Sequence, residues 1–188
     1  MSVHGGEHIA GGEPRIFVCN HVSWFDIPVM AGTLPRGKYV AKSELFDVPF
    51  FGWGMRLIGD VRVERENRKA AFAAYEVAAA RIRHGTPVVV FPEGTRGSSY
   101  QLRPFKKGPF VLAIAAGVPI VPVLIHGTVE IMPRGSWRIR PGKVNLHFLD
   151  AAPTAGYTYE ERDRLVSIVH DRMAAEQKRL YPEHADDS

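Results

Sequence analysis

Residues 86–96 read Thr-Pro-Val-Val-Val-Phe-Pro-Glu-Gly-Thr-Arg, an apolar run that passes directly into a polar turn. An unbroken β-branched run of this kind predicts a strand that is buried on both faces, as in a parallel sheet. Glu93, Gly94 and Arg96 then place an acid, a permissive backbone and a guanidinium at the carboxyl end of the strand. Open α/β sheets bind ligands at that end, so the turn is a candidate binding loop.

Strand and helix signals alternate outward from this run. Residues 15–19 predict a strand, and Ser23 with Asp26 has the capping-box spacing that predicts a helix from Trp24 to about residue 32. Further strands are expected at residues 39–41 and 60–64, and further helices at residues 50–58, 67–84 and 109–116. This alternation predicts the α/β class, with a mixed, mostly parallel sheet flanked by helices.

The C-terminal third predicts a different arrangement. Residues 118–125 form an apolar strand in which Pro122 indicates a bulge or an edge position. Residues 137–140 and 143–148 flank a Pro-Gly turn, which predicts a hairpin. A capping box then opens a final helix with an apolar face made of Leu165, Ile168, Val169 and Met173.

Length and composition limit the classes of protein to consider. The 188 residues suit one domain, which we expect at residues 1–182 with a polar tail at 183–188, and 45% hydrophobic residues exclude whole-chain disorder. The net charge of +4 favours anionic partners, although the sequence contains no recognisable nucleic-acid module. A single cysteine excludes an intramolecular disulfide and indicates a reducing compartment such as the cytoplasm. The longest apolar stretch, residues 111–125, is too short to span a bilayer, so membrane contact is expected to be peripheral.

The first candidate site follows the strand at residues 15–19. Asp26 lies in the first turn of the predicted helix, from which its carboxylate can reach back to His21. A carboxylate that accepts from Nδ1–H leaves Nε2 free to act as a base. The alternative is a capping box beside a structural histidine.

The second candidate site is the turn at residues 92–97. Arg96 offers a planar fork that suits two phosphate oxygens, and Gly94 allows close backbone approach. We expect Glu93 to orient Arg96 as an ion pair, although it also suits accepting a substrate hydroxyl or capping the turn. A solvated turn with a surface ion pair is the alternative.

Taken together, the two clusters resemble motifs of the glycerophospholipid acyltransferase family, most closely the bacterial 1-acylglycerol-3-phosphate acyltransferases. The resemblance covers residues 3–149 and rests on four motifs. They are Asn20-His21 with Asp26, residues 39–45 with 59–65, residues 91–96, and residues 118–123.

The resemblance implies transfer of a fatty acyl group from acyl-CoA or acyl carrier protein to a lysophospholipid hydroxyl, most plainly that of 1-acylglycerol-3-phosphate, giving phosphatidic acid. His21 is then the general base and Asp26 its charge-stabilising partner. The thioester is a co-substrate, no cofactor is expected, and Cys19 is expected to be a buried residue and not a nucleophile.

The same resemblance implies a site for the acceptor's phosphate. Its expected residues are Lys42, Arg65, Glu93, Gly94, Thr95 and Arg96. Lys106 and Lys107 also resemble a family feature, and suit lipid headgroups or the donor. The other histidines show no metal-ligand spacing, so no metal is predicted.

An aromatic segment follows Lys42, and it suits either an acyl-chain or membrane-facing surface or core packing. Its apolar members are Phe46, Phe50, Phe51, Trp53 and Met55. Family members commonly carry a longer region before the first motif, so the resemblance implies either a peripherally bound form or a chain start that omits that region. We expect the protein at the inner face of the cell membrane.

Two other functions are compatible with the sequence. One is a non-catalytic module that binds acyl carrier protein or anionic lipid through its basic surface. The other is an acyl thioesterase in which His21 activates water.

Overall fold

The computed structural model describes residues 1–9, 13–63, 68–136 and 138–184. Within them, seven strands form one sheet: β1 Ser2–His4, β2 Ile16–Cys19, β3 Lys38–Lys42, β4 Val61–Val63, β5 Val88–Val90, β6 Ile120–His126 and β7 Asn145–Phe148. The same residues form six α-helices: α1 Asp26–Thr33, α2 Phe51–Ile58, α3 Arg68–Arg83, α4 Gly108–Ala116, α5 Thr128–Ile131 and α6 Arg162–Leu180. Short 3-10 turns occupy Gly6–His8, Ser43–Asp47 and Pro182–His184.

The sheet has the strand order β1-β7-β6-β2-β5-β3-β4. Every neighbouring pair is parallel except β6 and β7, which are antiparallel. The predicted class, an α/β protein with a mixed and mostly parallel sheet, is therefore confirmed. Because β2, β3, β5 and β6 run in the same direction, the loops after them emerge at one edge of the sheet.

The core has two halves, one on each face of the sheet. In β2, Ile16 and Val18 belong to the half covered by α3, α4 and α6, while Phe17 and Cys19 belong to the half covered by α1. All four side chains are at most 1% exposed. Burial on both faces explains why the central strands are continuous apolar runs in the sequence.

The predicted hairpin at residues 137–148 is wrong. β7 pairs with β6 and with β1, and residues 138–140 form no strand. Leu146 and Phe148 of β7 are almost fully buried in this position, whereas Arg138 and Arg140 are exposed. Pairing with β6 therefore buries apolar surface that a local hairpin with an arginine-rich partner would leave in water.

The edge position predicted from Pro122 is also wrong, because β6 lies inside the sheet between β2 and β7. The carbonyl of Pro122 accepts the N–H of Leu149 at 2.9 Å, so Pro122 faces β7. Leu149 is the first residue after β7, so the missing N–H of Pro122 falls where the antiparallel ladder ends. No signal in the sequence predicts β1, whose three residues are all exposed.

Within the described residues, no helix has both the length and the apolarity needed to cross a bilayer.

Candidate active site

The loops at the carboxyl edge of the sheet bring the predicted site residues together. His21 follows β2, Lys42 ends β3, and Gly94, Thr95 and Arg96 follow β5. All five line one cavity of about 450 Å³. This size lies in the range of small-molecule sites, so the two candidate sites of the sequence analysis form a single site.

Asp26 holds His21 as the spacing predicted. The Nδ1 atom of His21 lies 2.8 Å from Oδ2 of Asp26, and the N–H groups of Val22 and Ser23 donate to the same oxygen at 2.7 and 2.9 Å. The other carboxylate oxygen accepts from Oγ1 of Thr128 at 2.6 Å. Asp26 is fully buried, so these donors replace water around the carboxylate.

The local helix start differs from the predicted capping box. The helix α1 begins at Asp26 with Phe25 as its N-cap, so Ser23 is not the N-cap. The side chain of Asp26 still reaches back to Ser23, while Oγ of Ser23 donates to the carbonyl of Met132 at 2.8 Å. The polar turn is thereby fixed to both α1 and the segment after α5.

Two further contacts fix the imidazole of His21. Its ring stacks on Phe91 with centroids 4.1 Å apart, and its backbone N–H donates to Oε1 of Glu93 at 2.9 Å. Because Nδ1 is engaged by Asp26, Nε2 is the nitrogen available to a substrate proton. The structure thus holds the imidazole in one orientation at the wall of the cavity.

The predicted role of Glu93 is wrong. Glu93 does not pair with Arg96; its Oε2 accepts from Nε of Arg103 at 2.8 Å, and its Oε1 accepts the N–H of His21. Arg103 also donates to Oγ1 and to the carbonyl of Thr95. Because the Glu93 side chain is only 1% exposed, it needs these buried partners, which the loop of Arg103 supplies and Arg96 does not.

The Glu93–Arg103 ion pair should affect the free energy of unfolding and its dependence on pH. Burial raises the pKa of Glu93, while the His21 N–H and Arg103 oppose the rise. A raised carboxyl pKa means that the folded state binds the proton more tightly, so stability falls as pH rises from the ordinary glutamate pKa to the raised one. We expect Arg103→Gln to lower the free energy of unfolding by about 2 kcal/mol at neutral pH and to extend that fall to higher pH. Urea unfolding across pH measures both effects, and an unchanged curve would contradict the assignment.

Arg96 lies over the ring of Trp24, with its guanidinium carbon 4.6 Å from the ring centroid. Arg134 donates to the carbonyl of Arg96 at 2.9 Å and lines the same cavity. Burial and then the positive charge of Arg134 lower the pKa of Arg96. An anion bound between these cations relieves their repulsion, so this end of the cavity suits a phosphate.

Much of the remaining cavity wall is apolar, although Tyr39, Lys42 and Asp60 also line it. The apolar part includes Ile27, Leu45, Met55, Ile58 and Phe91. A cavity that combines cations with aliphatic and aromatic walls suits an amphiphile with an anionic head.

Members of the aromatic segment at residues 46–55 differ in burial. Phe46 and Met55 are buried, whereas Phe50 is 90% and Trp53 66% exposed. The side chain of Phe51 lies outside the part of the structure that is described.

The other predicted residues differ in their burial and contacts. Cys19 is buried, as expected, and burial followed by the charge of Asp26 raises the pKa of its thiol, which keeps it protonated. Arg65 lies outside the described residues, so its predicted contact with phosphate stays a prediction. Lys107 pairs with Asp163 at 2.7 Å on the surface.

Three site residues were missed by the sequence analysis: Arg103, Thr128 and Arg134. Thr128 and Arg134 come from segments distant in sequence from the two motifs, whereas Arg103 lies in the loop that follows the second motif. Of the three, only Arg103 could have been predicted from the sequence, because a buried acid such as Glu93 requires a cation within reach.

Comparisons with known proteins point to one family. The family model named Acyltransferase matches residues 1–126. A 1-acyl-sn-glycerol-3-phosphate acyltransferase of Cocos nucifera is 32% identical in an alignment of 179 residues that covers 92% of this chain and 58% of that protein. The Haemophilus influenzae protein of the same name is 35% identical in an alignment of 160 residues that covers 84% of this chain and 66% of that protein.

A comparison with solved structures points to the same family. The crystal structure of the 1-acyl-sn-glycerophosphate acyltransferase PlsC of Thermotoga maritima matches with a TM-score of 0.75 at 35% identity, covering 94% of this chain and 71% of that one. The chain spans less than two thirds of the length of the coconut relative. Because the family model matches more than half of its residues, the chain belongs to the acyltransferase family.

Proposed function

We propose that this protein transfers a fatty acyl group from a thioester to the free hydroxyl of 1-acylglycerol-3-phosphate, giving phosphatidic acid. The observation that carries the proposal is that His21, which Asp26 holds by its Nδ1 atom, lines the same amphiphilic cavity as the cations Lys42, Arg96 and Arg134. Relatives named for this activity support the choice of acceptor.

The chemistry follows from the geometry of His21. Its Nε2 takes the proton of the acceptor hydroxyl as that oxygen attacks the thioester carbonyl. The carbon–sulfur bond then breaks, and the proton on Nε2 passes to the leaving thiolate. Asp26 stabilises the imidazolium between these two events, so the substrate alcohol takes the place of a serine nucleophile and no acyl-enzyme forms.

The donor is a fatty acyl thioester, either acyl-CoA or acyl carrier protein. Both release a thiol in the same step, and both are compatible with the charge of the surface. Acyl transfer is therefore measured with each donor in turn.

Arg96 provides the test of the acceptor. We expect Arg96→Gln to raise the KM for 1-acylglycerol-3-phosphate by about 10- to 100-fold, because a charge-assisted bond to phosphate contributes about 1.5–3 kcal/mol. The KM for a monoacylglycerol, which has no phosphate, should change little. Arg36→Gln, at an exposed arginine outside the cavity wall, is the matched control. Equal losses with both acceptors would contradict a phosphate role for Arg96.

We also propose that α2 rests on the surface of a lipid bilayer, as a peripheral contact at the inner face of the cell membrane. Its exposed apolar side chains include Trp53, Leu57 at 72% and Ile58 at 52%. Nearby, Arg56 and Arg62 lie 3.6 and 3.7 Å from the same oxygen of Asp47, so cationic side chains border the apolar ones. Ile58 also lines the cavity, so a lipid acceptor can pass from the bilayer to His21 along one continuous surface.

Vesicle binding tests this contact. Trp53→Ser combined with Leu57→Ser should weaken binding to phosphatidylcholine vesicles containing phosphatidic acid by more than about 10-fold, because each side chain contributes about 1.5–3 kcal/mol when buried. Val77→Ser, at an apolar residue of α3 that is 58% exposed, is the control. Sedimentation measures the bound fraction, and undiminished binding of the double variant would exclude α2 as the contact.

A further inference from the structure

A second cluster of metal-ligating side chains lies at the end of β6, outside the cavity just described. His126, Glu183 and His184 each offer one ligand atom, and the three atoms lie within 4.8 Å of one another. The two Nε2 atoms are 3.1 Å apart, and Oε1 of Glu183 lies 3.8 Å from Nε2 of His184. Glu183 and His184 come 57 and 58 positions after His126 in the chain, so no local sequence spacing predicts the cluster.

These distances are close to those of a bound ion. In a tetrahedral zinc site with bonds of about 2.0–2.1 Å, two ligand nitrogens are about 3.3 Å apart. The imidazoles already have nearly that separation, and the side chain of Glu183 is 60% exposed, so it can move the short distance that remains. A hydrogen bond between the imidazoles accounts for the 3.1 Å contact, but it does not account for the carboxylate beside them.

The rings are held in place before any ion binds. His126 stacks on Tyr181 with centroids 3.7 Å apart and an interplanar angle of 7°, and on Tyr100 at 4.5 Å. His184 packs against Tyr100 at 4.7 Å. Tyr100 is itself fixed, because its hydroxyl accepts the N–H of Gly127 at 2.7 Å and donates to Glu130 at 2.6 Å. Such packing lowers the entropic cost of ordering two of the three ligands.

We propose that His126, Glu183 and His184 bind a divalent transition-metal ion of the zinc class, with the fourth position open to water. Two neutral imidazoles and one carboxylate form a donor set that suits such an ion better than Mg²⁺ or Ca²⁺, which prefer oxygen ligands. The bound ion links the turn Pro182–His184, which follows α6, to the end of β6. Its role is structural, because none of the three ligands is among the residues that line the cavity of His21.

The test uses the full chain without a histidine tag, freed of metal by dialysis against a chelator. We expect one equivalent of Zn²⁺ to bind in calorimetry, and Co²⁺ to give the visible absorption of a four-coordinate site. Zn²⁺ in excess should raise the melting temperature by about 5 °C. His184→Ala, at a partly exposed residue near the C-terminus, should weaken Zn²⁺ binding by more than about 10-fold and reduce the thermal shift.

Matched variants keep the proposal falsifiable. Glu183→Gln preserves shape and should weaken binding while leaving the metal-free melting temperature unchanged. His84→Ala, at an exposed histidine after α3, should bind Zn²⁺ like the parent chain. Absence of saturable binding, or equal binding by the parent and His184→Ala, would overturn the proposal and leave the two histidines as a hydrogen-bonded pair.

Discussion

His21→Ala is expected to reduce the rate of acyl transfer by at least about 10³-fold, while the protein remains folded. The variant removes Nε2, the atom that takes the acceptor proton. Asp26 retains its bonds from Val22, Ser23 and Thr128, so its carboxylate stays solvated by protein donors. Thioester consumption measures the rate, and the melting temperature verifies the fold.

Two controls sharpen this prediction. Imidazole added to His21→Ala should restore part of the rate, since the removed ring leaves a space between Phe91 and Asp26. His84→Ala should keep full activity, because that histidine is exposed and remote from the cavity wall. Full activity in His21→Ala would remove the general base from the mechanism.

Asp26→Asn has the other large expected effect, a loss of about 10⁴-fold in kcat. The amide oxygen can accept from His21, Val22 and Ser23, and the amide nitrogen can donate to the hydroxyl of Thr128, which reverses its role. The hydrogen bonds of the turn therefore survive. What is lost is the negative charge that stabilises the imidazolium of His21.

Asp26→Ala distinguishes charge from packing. It removes the hydrogen bonds as well as the charge and leaves buried N–H groups unpaired, so it should lower the melting temperature while Asp26→Asn does not. Thermal unfolding and single-turnover transfer, measured on both variants, separate the two effects. If Asp26→Asn kept the parent kcat, Asp26 would be a purely structural residue.

Elements with strong local signals could be predicted from the sequence. The apolar runs at β2, β5 and β6 determine a sheet buried on both faces, and the alanine-rich segment determines α3, because burial and helical periodicity are properties of neighbouring residues. The pairing of β7 could not be predicted in this way. It depends on the free edge of β6, which exists only once the sheet has formed.

The candidate site shows the same division. His21 and Asp26 lie within one turn, so their spacing predicts their contact. The partner of Glu93 was predicted wrongly because Arg96 is near in sequence, whereas the loop places Arg103 beside the buried carboxylate. Arg134 comes from the segment after α5, and only the fold brings its charge to Arg96.

Identification of the products by mass tests the proposed reaction most directly. The protein is incubated with 1-acylglycerol-3-phosphate and with acyl-CoA or acyl carrier protein in turn, and each reaction is repeated without acceptor and with His21→Ala. Phosphatidic acid formed in equal amount to the thioester consumed, and absent with His21→Ala, is the expected result. Free fatty acid released at the same rate without acceptor, or no phosphatidic acid from either donor, would contradict it.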